Sequence, residues 1–103
     1  MENLVVGQEV YLKKAMLGEP VGSKGYVYEV YKDFDGSDKN GASIIFSNGG
    51  YDGFSVKEQE LFLETGRVDQ RYTMYQFKNV NQVYKDFQHG YWRFWKTTRL
   101  WRI

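Results

Sequence analysis

The chain contains no cysteine, one proline and one histidine among its 103 residues. The absence of cysteine excludes a disulfide scaffold, a thiolate zinc site and a cysteine nucleophile. Because His89 is the single histidine, every site that needs two imidazoles is excluded as well. No apolar run approaches the roughly 20 residues that a membrane-spanning helix requires, and no leader sequence is recognisable. We therefore expect no catalytic site, no cofactor, no metal and no membrane contact, and a cytoplasmic location by default.

Aromatic residues make up 18% of the chain and charged residues 26%, a combination that argues against disorder and predicts one folded domain. The formal net charge of +1 conceals an asymmetry. Residues 1–65 contain six Lys/Arg and eleven Asp/Glu, whereas residues 66–103 contain eight Lys/Arg and two Asp. Such an asymmetry indicates either an interaction surface or two segments that dock through complementary charge, and composition leaves both open.

The first 65 residues have the alternation and the turn residues of β-structure. Val10 and Leu12 alternate with polar neighbours, as in a half-buried strand. Residues 25–32 are rich in β-branched and aromatic side chains and predict the longest strand. Asn48-Gly49-Gly50 supplies the positive-φ residues of a tight hairpin. The predicted strands cover residues 8–14, 25–32, 43–47 and 51–56, and a short element at 60–63 closes the segment.

Five short patterns in this segment share the spacing of a known small fold. They are Val6-Gly7-x-x-Val10, Val21-Gly22-x-x-Gly25-x-Val27, Ile44-Ile45-Phe46 before the glycine hairpin, Phe54, and Glu60-Leu61. Together they resemble the SH3-like small β-barrels, in particular the KOW and Tudor-type members. The resemblance implies a five-stranded barrel over residues 5–65. Such barrels bind DNA, RNA, peptides or other proteins, so the resemblance implies a non-catalytic adaptor without naming its partner.

The remaining residues predict an extension packed on the barrel within the single domain 1–103. A strand is expected at 71–77, followed by an amphipathic helix whose apolar positions recur at i, i+3, i+4 and i+7. Asn79 is a suitable N-cap, and Gln82 completes a capping-box variant. A C-terminal β-hairpin is expected from strands at 91–95 and 99–103. The fold class is thus mainly β, a barrel extended by a strand, one helix and a hairpin. The helix positions expected to pack on the barrel are Val80, Val83, Tyr84 and Phe87.

Asp33-x-Asp35-Gly36-x-Asp38 places oxygen atoms at alternate positions, as calcium-binding loops do. An EF-hand loop needs glycine at its sixth position and glutamate at its twelfth, where this chain has Asp38 and Ile44. We therefore interpret residues 33–42 as an exposed loop rich in turn formers.

Two further candidates for chemistry have simpler structural interpretations. Glu58 and Glu60 are close in sequence, and paired carboxylates act as acid and base when their environments differ. Their neighbours Lys57 and Gln59 favour a solvated edge instead. His89 lies at the predicted end of the helix, where an imidazolium interacts favourably with the helix dipole.

Residues 91–102, here called the basic aromatic segment, contain all three tryptophans and four cations. Tryptophan, tyrosine and arginine dominate protein interfaces, and interleaved aromatic and cationic side chains also bind single-stranded nucleic acids. Packing of one face into the core is the third interpretation. The candidate partner-binding residues are Tyr91, Trp92, Arg93, Trp95, Lys96, Arg99, Trp101 and Arg102.

The sequence therefore predicts a non-enzymatic binding module with a protein partner, and a nucleic acid as the alternative partner. The low net charge counts against broad affinity for nucleic acid, because an acidic segment repels a long phosphate backbone. Compact cysteine-free chains of this style are typical of phage and mobile-element accessory proteins that act on a host protein. A homodimer formed by pairing of open strand edges is a further expectation.

Overall fold

A computed structural model describes residues 3–32 and 39–89, with side chains as far as residue 87. This part of the chain is organised by one antiparallel sheet with the strand order β4-β3-β2-β1-β5. The mainly β prediction is confirmed. The elements are β1 (Gln8–Leu12), β2 (Lys24–Lys32), β3 (Asn40–Phe46), β4 (Tyr51–Phe54), α1 (Val56–Phe62), β5 (Leu63–Val68), α2 (Val80–Tyr84) and a π-helical turn (Lys85–His89).

The predicted closure into a barrel is not confirmed, because the sheet is open. Strands β4 and β5 lie at opposite ends of the strand order, and no ladder joins them within residues 3–32 and 39–89. Helix α1 occupies the connection between these two strands. No helix in this part of the chain is long and apolar enough to cross a membrane.

Helix α1 was not anticipated, although its start signal is visible in the sequence. The Ser55 hydroxyl accepts a hydrogen bond from the Glu58 amide at 3.2 Å, and the Glu58 carboxylate accepts one from the Ser55 amide at 2.9 Å. This reciprocal capping box satisfies two amides that a helix start leaves unpaired. The strand predicted at 51–56 therefore ends at residue 54. The element predicted at 60–63 is the end of α1 and the first residue of β5.

The hairpin predicted at Asn48-Gly49-Gly50 is confirmed. Gly49 has φ +98°, which a side chain rarely tolerates, and the Phe46 amide donates to the Gly50 carbonyl at 2.7 Å. The buried Glu19 carboxylate accepts from the amides of Asn48 and Gly50 at 3.2 and 3.0 Å. This link fixes the loop that follows β1 against the turn between β3 and β4.

The sheet has an apolar cluster on each face. The first cluster contains Val10 and Leu12, which the alternation predicted to share a face, and both are almost fully buried. The second cluster is mostly aromatic and is completed by residues 69–89, here called the C-terminal layer. The first cluster comprises Leu4, Val10, Leu12, Val27, Ala42, Ile44, Phe46, Phe54 and Leu63; the second comprises Tyr26, Tyr28, Ile45, Tyr72, Val83 and Phe87.

The C-terminal layer differs from prediction in two respects. The strand predicted at 71–77 is wrong, because these residues form turns followed by a stretch without regular secondary structure or a ladder partner. The predicted helix exists, but α-helical geometry ends at Tyr84 and a π-helical turn follows. Val83 and Phe87 are buried as predicted, Val80 is partly buried, and Tyr84 is 39% exposed.

Gly7 lies in close contact with the start of the C-terminal layer. Its φ is +91°, and an added Cβ would lie 2.8 Å from the backbone carbon of Tyr72. We predict that Gly7→Ala lowers the free energy of unfolding by about 2–4 kcal/mol, because it combines a strained backbone with a backbone clash. Gly22→Ala is the matched control, since φ is +88° there and nothing lies within 4 Å. Urea unfolding of both variants measures the difference, and equal losses would contradict the close packing.

Candidate functional site

Asp69 is the residue at which the chain leaves β5 and turns across the sheet. Its amide donates to the Gly7 carbonyl at 2.9 Å, and its carboxylate accepts from the Arg71 amide at 3.1 Å. The Arg71 guanidinium binds the same carboxylate through Nε at 3.0 Å and Nη2 at 2.6 Å. The side chain of Asp69 is almost fully buried. This turn starts the C-terminal layer at a fixed place and in a fixed direction.

A second buried carboxylate, Glu9 on β1, lies close to Asp69. The Tyr26 hydroxyl lies 3.4 Å from Glu9 Oε2 and 3.3 Å from Asp69 Oδ2, within hydrogen-bonding reach of both carboxylates. Lys24 and Arg67 approach Glu9 Oε2 at 3.7 and 3.5 Å. Each negative charge therefore has cationic partners, which offsets the large cost of burying it.

The pKa of Asp69 follows from these contacts. Burial raises the pKa of this carboxyl, but the hydrogen bonds and charge of Arg71, helped by the charge of Arg67, outweigh burial. The net pKa lies below the ordinary value of 3.8. Asp69 is thus ionised at neutral pH. Because both carboxylates are held by side chains of the fold itself, the Glu9 and Asp69 pair acts as a structural anchor.

The aromatic rings between the sheet and the C-terminal layer form a continuous cluster. The Tyr72 ring lies 5.1 Å from Tyr26 and 4.5 Å from Phe87, and Tyr75 lies 4.9 Å from Phe87. Phe77 packs on Tyr28 at 5.2 Å. These separations and tilts are the favourable ones for aromatic pairs. The layer therefore docks mainly through ring packing, with the charge contacts restricted to the anchor.

The outer surface of the C-terminal layer has a shallow groove of about 420 Å³. Met74 at its rim is 86% exposed, the highest value among the large apolar side chains that the structure describes. The Tyr75 hydroxyl donates to Asp86 Oδ2 at 2.7 Å, and burial together with this bond raises the pKa of Tyr75 well above its ordinary value of 10.0. The groove is lined by Arg71, Tyr72, Met74, Tyr75, Lys78 and Asp86, among others.

The structure describes some of the residues considered above for acid–base catalysis or metal binding. Glu58 and Glu60 are exposed, as expected for a solvated edge, and Glu58 serves the capping box of α1. Within residues 3–32 and 39–87, no three His, Cys, Asp or Glu side chains are grouped as a metal site requires. Of the exposed loop predicted at 33–42, residues 40–42 belong to β3 instead, and residues 33–38 lie outside the described residues, as does the side chain of His89.

All eight candidate partner-binding residues lie outside the described residues, as does the predicted C-terminal hairpin. These eight residues are Tyr91, Trp92, Arg93, Trp95, Lys96, Arg99, Trp101 and Arg102. The described chain ends with the π-helical turn at His89, immediately before the basic aromatic segment. The sequence pattern predicts only a strand at 71–77 and marks none of the groove residues just upstream as a binding site.

Comparison of the chain with protein-family models, curated proteins and solved structures found no match. The SH3-like resemblance of residues 5–65 therefore stays a prediction.

The lowered pKa of Asp69 predicts a specific dependence of stability on pH. A carboxyl whose folded-state pKa is depressed stabilises the protein above its unfolded-state pKa and loses that contribution as pH falls. The difference in free energy of unfolding between wild type and Asp69→Asn should be largest above about pH 4 and shrink towards pH 2. Chemical denaturation across this range measures it, with Asp52→Asn, an exposed carboxylate on β4, as control. A difference that is constant with pH would contradict the anchor.

Proposed function

We propose that the chain is a non-enzymatic module that binds a protein partner. The contact surface in this proposal is the outer side of the C-terminal layer together with the basic aromatic segment that follows it. The observation that supports it is the exposure of Met74, 86%, at the rim of a groove lined by aromatic and cationic side chains. Methionine adapts its shape to different partners and is common at binding surfaces.

The charges of the C-terminal layer support this assignment over internal docking by complementary charge. Lys78 and Lys85 are exposed, and no carboxylate in the described part of the chain lies within ion-pairing distance of either. Within the layer, the described side chain that pairs with a carboxylate of the anchor is Arg71, which binds Asp69. The positive charge of the layer is therefore available to a partner. The four further cations of the basic aromatic segment extend it along the chain.

We also propose that residues 5–65 have an SH3-like architecture. Its support is the order β4-β3-β2-β1-β5 and a register shift in β2 between Val27 and Glu29. A bulge of this kind bends a strand, which lets β2 pair with β1 near one end and with β3 along its length. In such a protein the sheet supplies a rigid support, and the binding surface belongs to the segments added to it.

Affinity capture followed by reconstitution tests the proposal. The full chain and the double variant Trp95→Ala/Trp101→Ala are immobilised and exposed to lysate of the native host after nuclease treatment. We expect one protein to be retained by the wild type and to bind the purified chain at least about ten-fold more tightly than the double variant, since truncated interface tryptophans commonly cost that much. Binding should weaken only modestly with salt.

Tyr51→Ala is the control, because Tyr51 is 48% exposed on β4, outside the proposed surface. This variant should retain the partner with unchanged affinity. Loss of all retained material on nuclease treatment, with a shift of labelled oligonucleotides that falls steeply with salt, would replace the protein partner with a nucleic acid. Equal binding by the wild type and the double variant would remove the basic aromatic segment from the surface.

A further inference from the structure

The short stretch 76–78 of the C-terminal layer has the side-chain arrangement of a β-strand. Gln76 and Lys78 are exposed, whereas Phe77 between them is partly buried and packs on Tyr28 at 5.2 Å. Tyr75, one residue earlier, also faces inward and packs on Phe87 at 4.9 Å. Alternation with a period of two is the pattern of extended backbone lying on an apolar surface. The strand predicted at 71–77 overlaps this stretch.

The backbone of the same stretch has no partner strand. No backbone hydrogen bond joins residues 76–78 to any part of the chain that the structure describes. Extended backbone with open amides and carbonyls is a template for pairing with another strand. We call residues 76–78 the open edge.

Both ends of the open edge are fixed. On one side the Tyr75 amide donates to the Tyr72 carbonyl at 3.0 Å, and the Tyr75 hydroxyl donates to Asp86 at 2.7 Å. On the other side Asn79 caps α2 by accepting from the Gln82 amide at 2.9 Å. A segment held in its extended shape loses little conformational freedom when another chain pairs with it.

The edge strand β4 is a poorer template for an incoming acidic strand. On β4 the Asp52 carboxylate accepts from the Gly53 amide at 2.8 Å, so one amide is already used and a negative charge lies beside it. The open edge instead has Lys78 on its outer side and the apolar Met74 two residues before Gln76. Its chemistry therefore favours an added segment that combines apolar and acidic side chains.

Charge also distinguishes between possible occupants of the open edge. The basic aromatic segment of the same chain has four cations and no carboxylate, so it would bring like charge to Lys78. A second copy pairing through the same edge would bring its own Lys78 to the first. Asp86, the one carboxylate lining the groove, is already bound by Tyr75 at 2.7 Å and Gln82 at 2.9 Å. A partner strand with acidic side chains brings no positive charge to Lys78, so it avoids the repulsion that both of these occupants would meet.

We propose that an extended acidic segment of the partner protein adds as a β-strand to the open edge at residues 76–78, with Met74 as its apolar contact and Lys78 as its charge contact. This inference rests on the proposed function and specifies the partner class and the mode of binding. Backbone hydrogen bonds supply affinity in this mode, and the alternate side chains supply specificity.

Synthetic peptides of about six residues, a typical strand length, test the proposal on the full chain. The probe alternates valine with glutamate, a second peptide replaces glutamate with lysine, and a third is the acidic peptide methylated at alternate backbone amides. We expect the acidic peptide to bind about ten-fold more tightly than the lysine peptide. Methylation on the amides that face the protein should weaken binding by about ten-fold, because two hydrogen bonds are lost. Methylation on the opposite amides should have little effect.

Amide hydrogen exchange by NMR locates the contact. Bound acidic peptide should slow exchange either at Phe77 alone or at Gln76 and Lys78 together, because the amides of a strand alternate in direction. Lys78→Glu should weaken the acidic peptide about three-fold or more, while Lys57→Glu, a reversal at an exposed lysine on α1, should not. Protection at β4 or β5 instead, or equal effects of the two reversals, would overturn the proposal.

Three outcomes separate this inference from the proposed function. If a captured partner binds normally but leaves exchange at residues 76–78 unchanged, strand addition is wrong and the binding module stands. If these amides are already protected in the free wild type and exposed in Trp95→Ala/Trp101→Ala, the chain's own segment occupies the edge, and the partner strand is ruled out. Concentration-dependent protection in the free chain assigns the edge to a second copy and overturns the proposal in the same way.

Discussion

The packing of Tyr26 against the C-terminal layer is the contact on which the described architecture depends. The ring of Tyr26 lies 5.1 Å from Tyr72 and 5.4 Å from Phe87, so it joins the sheet to both parts of the layer. Its hydroxyl lies between the buried carboxylates of Glu9 and Asp69. One side chain on β2 therefore contacts the layer's aromatic cluster and also satisfies the charges at the point where the layer begins. Without this contact the second face of the sheet would expose a large aromatic surface to water.

The position of the layer has a direct consequence for the surface of the protein. Because Tyr75 and Phe77 turn inward to the aromatic cluster, Met74, Gln76 and Lys78 face outward. The same arrangement that buries the rings leaves residues 76–78 without a backbone hydrogen bond to the described part of the chain. In our account the binding surface is thus a by-product of how the second face of the sheet is covered. A partner strand would complete pairing that the chain itself leaves open.

Local patterns predicted much of the sheet and little of its covering layer. Alternation and the glycine hairpin placed β1 to β4 to within a few residues, because a half-buried strand shows its period in every residue. The capping box at Ser55 and Glu58 was equally local and would have predicted α1. The Glu9 and Asp69 pair was beyond prediction, since its members are 60 residues apart and meet only through tertiary structure. The stretch 71–77 has a strand's periodicity, but periodicity cannot tell whether a neighbouring strand is present to pair with it.

A double-mutant cycle between Tyr26→Leu and Phe87→Leu tests the central claim most directly, namely that the C-terminal layer docks on the sheet by aromatic packing. The free energy of unfolding is measured by urea denaturation for the wild type, both single variants and the double variant. Contact between the rings predicts a coupling energy of about 0.5–1.5 kcal/mol beyond the separate effects. Strictly additive losses would show that the two rings do not interact, and the position of the layer, with the open edge it creates, would have to be abandoned.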